Sequence, residues 1–154
     1  MTASPRPLLG ITMGDPAGIG PEIIVKAAHQ MRDLVAQGRI ELKVLGSAQA
    51  LDQAARLLQC DIAKVVEMVD VGPVPQPLTV GQISEAGGHW AYHAVARAVQ
   101  LCQSGAADAI VTAPLCKEAL HLAGYPFEGH TEMLATLTFH ADDMVACPQG
   151  DCQD

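Results

Sequence analysis

The stretch Ile11-Thr-Met-Gly-Asp-Pro-Ala-Gly-Ile-Gly-Pro-Glu-Ile-Ile24 decides the fold. An apolar run enters it, three glycines interrupt it and a helical pattern leaves it, so it reads as strand, tight turn and helix. Gly14, Gly18 and Gly20 remove side chains where the backbone turns or comes close to something. Pro21 suits the first helical position, where its missing N–H has no partner in any case. Glu22 puts a negative charge in the first turn, which the helix dipole favours. A corner of this kind builds ligand sites in α/β proteins, because N-terminal helix N–H groups can face an anion. The same residues also suit a purely structural βα turn. Neither familiar nucleotide loop is present: Gly20 is followed by Pro21 where a Walker loop needs lysine, and position 23 is Ile where the dinucleotide fingerprint needs glycine.

Outward from this corner, strand and helix patterns alternate. Residues 8–13 read as a buried strand. Residues 20–34 read as a helix with Ile23, Ile24, Ala27, Ala28 and Met31 on one face. Residues 40–45 alternate as a second strand, closed by Gly46, and Ser47 is a plausible N-cap for a helix reaching about residue 58. Residues 64–69 form a third predicted strand, and residues 71–77 are too rich in proline for helix or central strand. Residues 81–104 have helical spacing through Ile83, Ala86, Trp90, Val95, Ala98 and Leu101. Gly87 and Gly88 weaken that helix by about 1 kcal/mol each relative to alanine; a second backbone packed close by would explain the pair. Residues 107–112 give a fourth strand, Pro114 and Lys117 lead into a short helix ending near Gly124, and a last helix runs from His130 or Thr131 to Thr138. The fold class is α/β, a mostly parallel sheet with flanking helices and right-handed crossovers. Ligands in such sheets gather beyond the carboxyl ends of the strands, where the loops after Met13 and Thr112 both lie.

Composition narrows the function. The 154 residues suit one ordinary domain, and 49% hydrophobic content with 3% aromatic residues implies a core of Ala, Val, Leu and Ile. A net charge of −8 argues against nucleic acid and anionic membranes as partners, but a local pocket can still hold an anion. Five cysteines without a C-x-x-C pair suit the reduced thiols of a cytoplasm. The first seven residues lack the apolar core of a secretory leader, and no apolar run is long enough to span a bilayer.

Three further segments carry chemistry. Val111-Thr-Ala-Pro-Leu-Cys-Lys-Glu-Ala-Leu120 places Lys117 at a helix start past a strand end, where a cation meets phosphate or carboxylate, or simply solvent. Cys116 beside it is either an activated thiol or a small apolar filler. Gly124-Tyr-Pro-Phe-Glu-Gly-His-Thr-Glu-Met133 offers His130 and Thr131 from a loop, with Thr131 able to cap the helix that follows. His89 and His93 share a helix face at metal-compatible spacing, but the glutamate of H-E-x-x-H is absent and no third ligand is evident nearby.

Ile11 to Glu22, Thr112-Ala-Pro-Leu-Cys-Lys117 and Phe127-Glu-Gly-His-Thr-Glu132, in that order, resemble the 4-hydroxythreonine-4-phosphate dehydrogenases of vitamin B6 synthesis, and Leu78-Thr-Val-Gly-Gln-Ile-Ser-Glu-Ala-Gly-Gly-His89 fits as well. The resemblance runs from about residue 8 to about residue 138. It implies a two-domain fold like that of isocitrate and isopropylmalate dehydrogenases, with the site in the cleft of a homodimer. It implies oxidation of 4-phosphohydroxy-L-threonine by NAD or NADP, followed by decarboxylation to an aminoketone phosphate. A divalent metal (zinc, magnesium or cobalt) assists as Lewis acid. His130 and Thr131 match the substrate-contacting pair; Asp15 and Lys117 lie in matching motifs as cleft residues. No catalytic or cofactor-binding residue is assigned, and the metal-binding histidines of the family lie in a part that follows.

Residues 1–138 are therefore expected to be the N-terminal portion of such a dehydrogenase, inactive alone. Residues 139–154 form an atypical tail, in which Cys147-Pro-Gln-Gly-Asp-Cys-Gln-Asp154 replaces an expected apolar strand, as a truncation or frameshift would produce. Related dehydrogenases of four-carbon sugar-acid phosphates or of cis-dihydrodiols are the alternatives within the chemistry. A non-catalytic binding fragment, or a purely structural protein, is the alternative outside it.

Overall fold

A computed structural model describes residues 6–72 and 79–139. The expected proline-rich connector falls largely, and the atypical tail almost wholly, outside them. The elements alternate as expected: β1 (Leu8–Thr12), α1 (Gly20–Ala36), β2 (Glu41–Gly46), α2 (Ala48–Leu57), β3 (Val66–Asp70), α3 (Glu85–Gln103), β4 (Ala109–Thr112), α4 (Lys117–Leu122) and α5 (His130–Phe139). The four strands form one sheet in the order β3-β2-β1-β4, every neighbouring pair parallel.

Each face of the sheet is covered by its own helices. Ile11 and Met13 from β1 and its exit, with Leu42 and Val44 of β2, pack against Ile24, Val25 and Ala28 of α1 and Ala50, Leu51 and Ala54 of α2. On the other face Leu45 packs against Ala94 and Ala98 of α3. A second cluster behind α3 joins Ala91, Val95 and Val99 to Leu120, Met133 and Leu137 of α4 and α5. Trp90 is buried on α3 at 6% exposure. Val111 of β4 sits beside Ile11 in register, yet it is 46% exposed against 7% for Ile11, because β4 is an edge strand that α1 does not reach.

Capping fixes two helix starts. Ser47 accepts a hydrogen bond from Ala50 N at 3.1 Å, as its position in the sequence implied, and Ser84 accepts from Gly87 N at 3.0 Å. The second cap corrects one expectation. α3 begins at Glu85 and not at residue 81, because Gly81 N donates to Ala17 O at 2.8 Å and ties this segment to the first loop. Ile83 therefore lies outside the helix, 49% exposed. On α1 the buried stripe is Ile24, Val25 and Ala28, while Ile23 points outward at 40% exposure. Pro21 falls within the first two helical positions behind Ile19 as N-cap.

The glycine pair on α3 has the cause expected of it. A side chain at Gly88 would strike the backbone of Ala119 in α4, so the two helices approach at van der Waals distance there. A Cβ on Gly87 would lie 2.5 and 2.7 Å from the two carboxylate oxygens of Asp15.

Candidate functional site

After β1 the chain moves to β2 and β3 on one side; β4 then returns to the other side of β1. The carboxyl ends of β1 and β4 are thus the switch point of the sheet, the place where ligands gather in sheets of this kind. The loops singled out in the sequence leave from these two ends.

They are locked together by backbone. Ala113 N donates to Thr12 O and Met13 N to Leu45 O, each at 2.9 Å. Gly14 has φ of +71°, and the place its side chain would take is filled by the carbonyl oxygen of Pro114. At Gly20 the same place is filled by the carbonyl of Met13, with the Ala113 methyl 3.5 Å away. The ring of His130, first residue of α5, lies close enough to the Ala113 backbone to feel its field. The glycine corner, the lysine segment and the histidine–threonine segment therefore all meet around Ala113 and Pro114.

The polar atoms of this region are distinctive. Thr12 Oγ1 and His130 Nε2 are the two fully buried side-chain polar atoms without a hydrogen-bond partner among the described residues. Such orphans are rare, because an unpaired buried polar atom costs about 1–3 kcal/mol. Burial pushes the His130 imidazole below its usual range, and the Ala113 carbonyl opposes this only in part. His130 is then neutral near pH 7, with an unpaired nitrogen to offer. Thr131, next along α5, is exposed.

Asp15 sits differently from the other candidates. It is 6% exposed, and its Oδ1 accepts from Ala17 N at 2.8 Å, closing an Asx turn at the head of the corner. Its carboxylate lies against Gly87 in the first turn of α3. Burial pushes its carboxyl up, and the Ala17 hydrogen bond pulls the other way. Lys117 is the first residue of α4, exposed, with no ion pair among the described residues. Cys116 is a half-buried free thiol at the N-cap position and makes no capping bond.

The two histidines on α3 have other employment than metal. Their rings lie 6.3 Å apart and nearly parallel. His89 Nδ1 bonds the Tyr125 hydroxyl at 3.0 Å, and its Nε2 lies 3.6 Å from Glu85. No group of three His, Cys, Asp or Glu side chains that could hold a metal occurs among the described residues. With Ile23 where a dinucleotide loop needs glycine, that fingerprint is also missing among the described residues. No described helix is long and apolar enough to cross a membrane. Sequence reading missed Thr12, whose unpaired hydroxyl is a property of packing that no motif announces.

Comparison with known proteins identifies the family. The chain is 43% identical over 143 residues to a D-threonate 4-phosphate dehydrogenase of Cupriavidus necator, a match covering 86% of this chain and 43% of that protein. It is 35% identical over 164 residues to a 4-hydroxythreonine-4-phosphate dehydrogenase of Trichlorobacter lovleyi, covering 96% of this chain and 48% of that one. The crystal structure of a 4-hydroxythreonine-4-phosphate dehydrogenase from Burkholderia phymatum superimposes with a TM-score of 0.76 at 40% identity, over 87% of this chain and 44% of that one. The chain spans less than half the length of the curated relatives it matches. A family profile described as pyridoxal phosphate biosynthetic protein PdxA matches residues 22–149. With that profile matched from the first turn of α1 through the histidine–threonine segment, this chain belongs to the PdxA family.

Proposed function

We propose that this chain forms the substrate-gripping part of a nicotinamide-dependent dehydrogenase of four-carbon acids phosphorylated at C4. The reaction is oxidation of the C3 alcohol by NAD or NADP, followed by loss of carbon dioxide from the resulting β-keto acid, in a cytoplasmic homodimer. A divalent metal assists, held by residues other than those described here. The two candidate substrates are 4-phosphohydroxy-L-threonine and D-threonate 4-phosphate, which differ at C2 in carrying an amino or a hydroxyl group. The 43% identity to a D-threonate 4-phosphate dehydrogenase, against 35% and 40% to the two proteins named for hydroxythreonine phosphate, leans toward the second.

One observation carries the reading. Of the two orphaned buried polar atoms, one is on Thr12, the last residue of β1 at the switch point of the sheet, and the other is on His130, the first residue of α5, near the Ala113 backbone just past β4. A bound hydroxyl or phosphate oxygen pairs with them, satisfying groups that are costly to leave unpaired. In this reading His130, neutral and desolvated, hydrogen-bonds the substrate, and Thr131 adds its hydroxyl. Lys117 supplies positive charge for the phosphate or carboxylate, and Asp15 holds the corner in shape from within.

Calorimetric titration of the chain with each phosphorylated acid, without metal, tests the grip. Binding that weakens at least about tenfold in His130→Gln, the loss of one good hydrogen bond to a desolvated partner, is the expected result. Equal binding by the variant, or none by the native chain, sinks the proposal. The chain alone is expected not to reduce NAD or NADP, and measurable turnover would contradict its role as the gripping part only.

A further inference from the structure

The chain has five aromatic residues beside histidine: one Trp, two Tyr and two Phe. Three of the five, Tyr92, Tyr125 and Phe127, gather in one stack on α3, where Tyr92 lies on Tyr125 at 3.8 Å with the planes 10° apart, and on Phe127 at 6.2 Å with the planes 7° apart. His89 closes the stack edge-on to Tyr125 at 5.4 Å and bonds its hydroxyl. Among the described residues Trp90 is the one other aromatic side chain in the buried core, so the stack stands out.

We propose that this aromatic clamp fixes the loop 123–129 and thereby sets where His130 points, with Tyr125 as its positioning residue. The proposal rests on the reading of His130 as a substrate contact.

The loop has two anchors and one grip. At its start Gly124 N donates to His121 O at 3.0 Å and Tyr125 N to Leu120 O at 2.9 Å. At its end Glu128 N donates to Glu132 Oε2 at 2.9 Å and Met133 N to Gly129 O at 3.2 Å. Between these, residues alternate as in an extended segment. Tyr125 and Phe127 are half-buried on α3, while Pro126 and Glu128 are exposed. The two aromatic rings are thus the loop's apolar hold on the rest of the molecule. α5 starts at His130 with no intervening residue, so a shift of the loop is a shift of the imidazole. Met133 and Leu137 pin α5 further along, which leaves its first turn to be aimed by the loop. The contact at stake is narrow: the His130 ring on the Ala113 backbone, with Nε2 buried.

The test reads the His130 ring directly, by carbon–proton NMR of the full chain, with His130→Gln for assignment. The native His130 signal is expected away from the free-imidazole position, titrating below 6.5. Tyr125→Leu, which keeps apolar bulk, should move it at least halfway to the free position, and Tyr125→Phe, which keeps the stack, should move it less. His89→Ala, at a half-exposed position, should move it in the same direction. A lower melting temperature in Tyr125→Leu with the His130 signal unmoved makes the stack packing only and overturns the proposal. If that variant does not fold, an unmoved signal in His89→Ala overturns it instead. Adding D-threonate 4-phosphate is a separate arm: a native signal that ignores the ligand counts against the substrate reading and leaves the clamp comparison intact.

Discussion

The carbonyl oxygen of Pro114 occupies the space that a side chain on Gly14 would need. This contact couples the first loop of the protein to a loop about a hundred residues later in sequence, and the same second loop carries the Ala113 backbone on which His130 rests.

Gly14→Ala should therefore destabilise the chain by about 2–4 kcal/mol, combining a strained positive φ with a backbone collision. Urea unfolding measures it. A loss under about 0.5 kcal/mol, the range of ordinary surface changes, would show that the two loops part without penalty.

Gly88→Ala sets two effects against each other. Helix propensity alone favours alanine by about 1 kcal/mol. The backbone of Ala119 stands where the methyl group would go, and overpacking of that kind costs about 1–3 kcal/mol or more. The variant should be less stable than the native chain; a gain in stability would mean that α3 and α4 separate freely.

Asp15 makes a prediction in pH. Its carboxyl is raised above 3.8 by burial, so the folded state holds its proton longer than the unfolded state does. Stability from this group is present at low pH and is lost as pH climbs from 3.8 through the folded value. Asp15→Asn keeps an acceptor for Ala17 N and does not titrate. Its stability relative to the native chain should therefore improve steadily over that climb, as thermal midpoints would record. A constant difference would place the carboxylate in contact with water.

His130 has the opposite dependence. Its folded pKa lies below 6.5 chiefly through burial, so the unfolded state binds protons more readily. Stability is complete above 6.5 and falls as pH drops from there through the folded value. His93 adds to the same trend, lowered by burial and by the charge of His89. His130→Gln should reduce the acid loss but not abolish it. An unchanged midpoint-against-pH curve would mean that the imidazole is hydrated.

Strand β4 exposes Val111 at the edge of the sheet. Unpaired edges of this kind recruit other strands. Light scattering of the chain should rise with concentration, and Val111→Lys should suppress that rise.

Much of this was legible in the sequence because period and punctuation act locally. The alternation of apolar runs gave all four strands, and Ser47 marked its helix by the chemistry of its hydroxyl. The meeting of the first two motifs follows from strand order, since loops at the carboxyl ends of β1 and β4 are neighbours, whereas His130 is brought there by the packing of α4 and α5. What sequence missed is set by partners distant in the chain. Ile83 has helical spacing, but the bond from Gly81 to Ala17 holds that segment out of the helix. His89 and His93 have the spacing of metal ligands, but Tyr125 and Glu85 engage both nitrogens of His89. Asp15 lies against Gly87, a contact that the glycine pair hinted at without naming its partner.

Trp90 is the chain's single indole, and it lies buried in α3, the helix that touches β1, β2, β4, α4 and α5. Its fluorescence is consequently a built-in gauge of assembly: emission shifts to longer wavelength when water reaches the interior, without any dye or label.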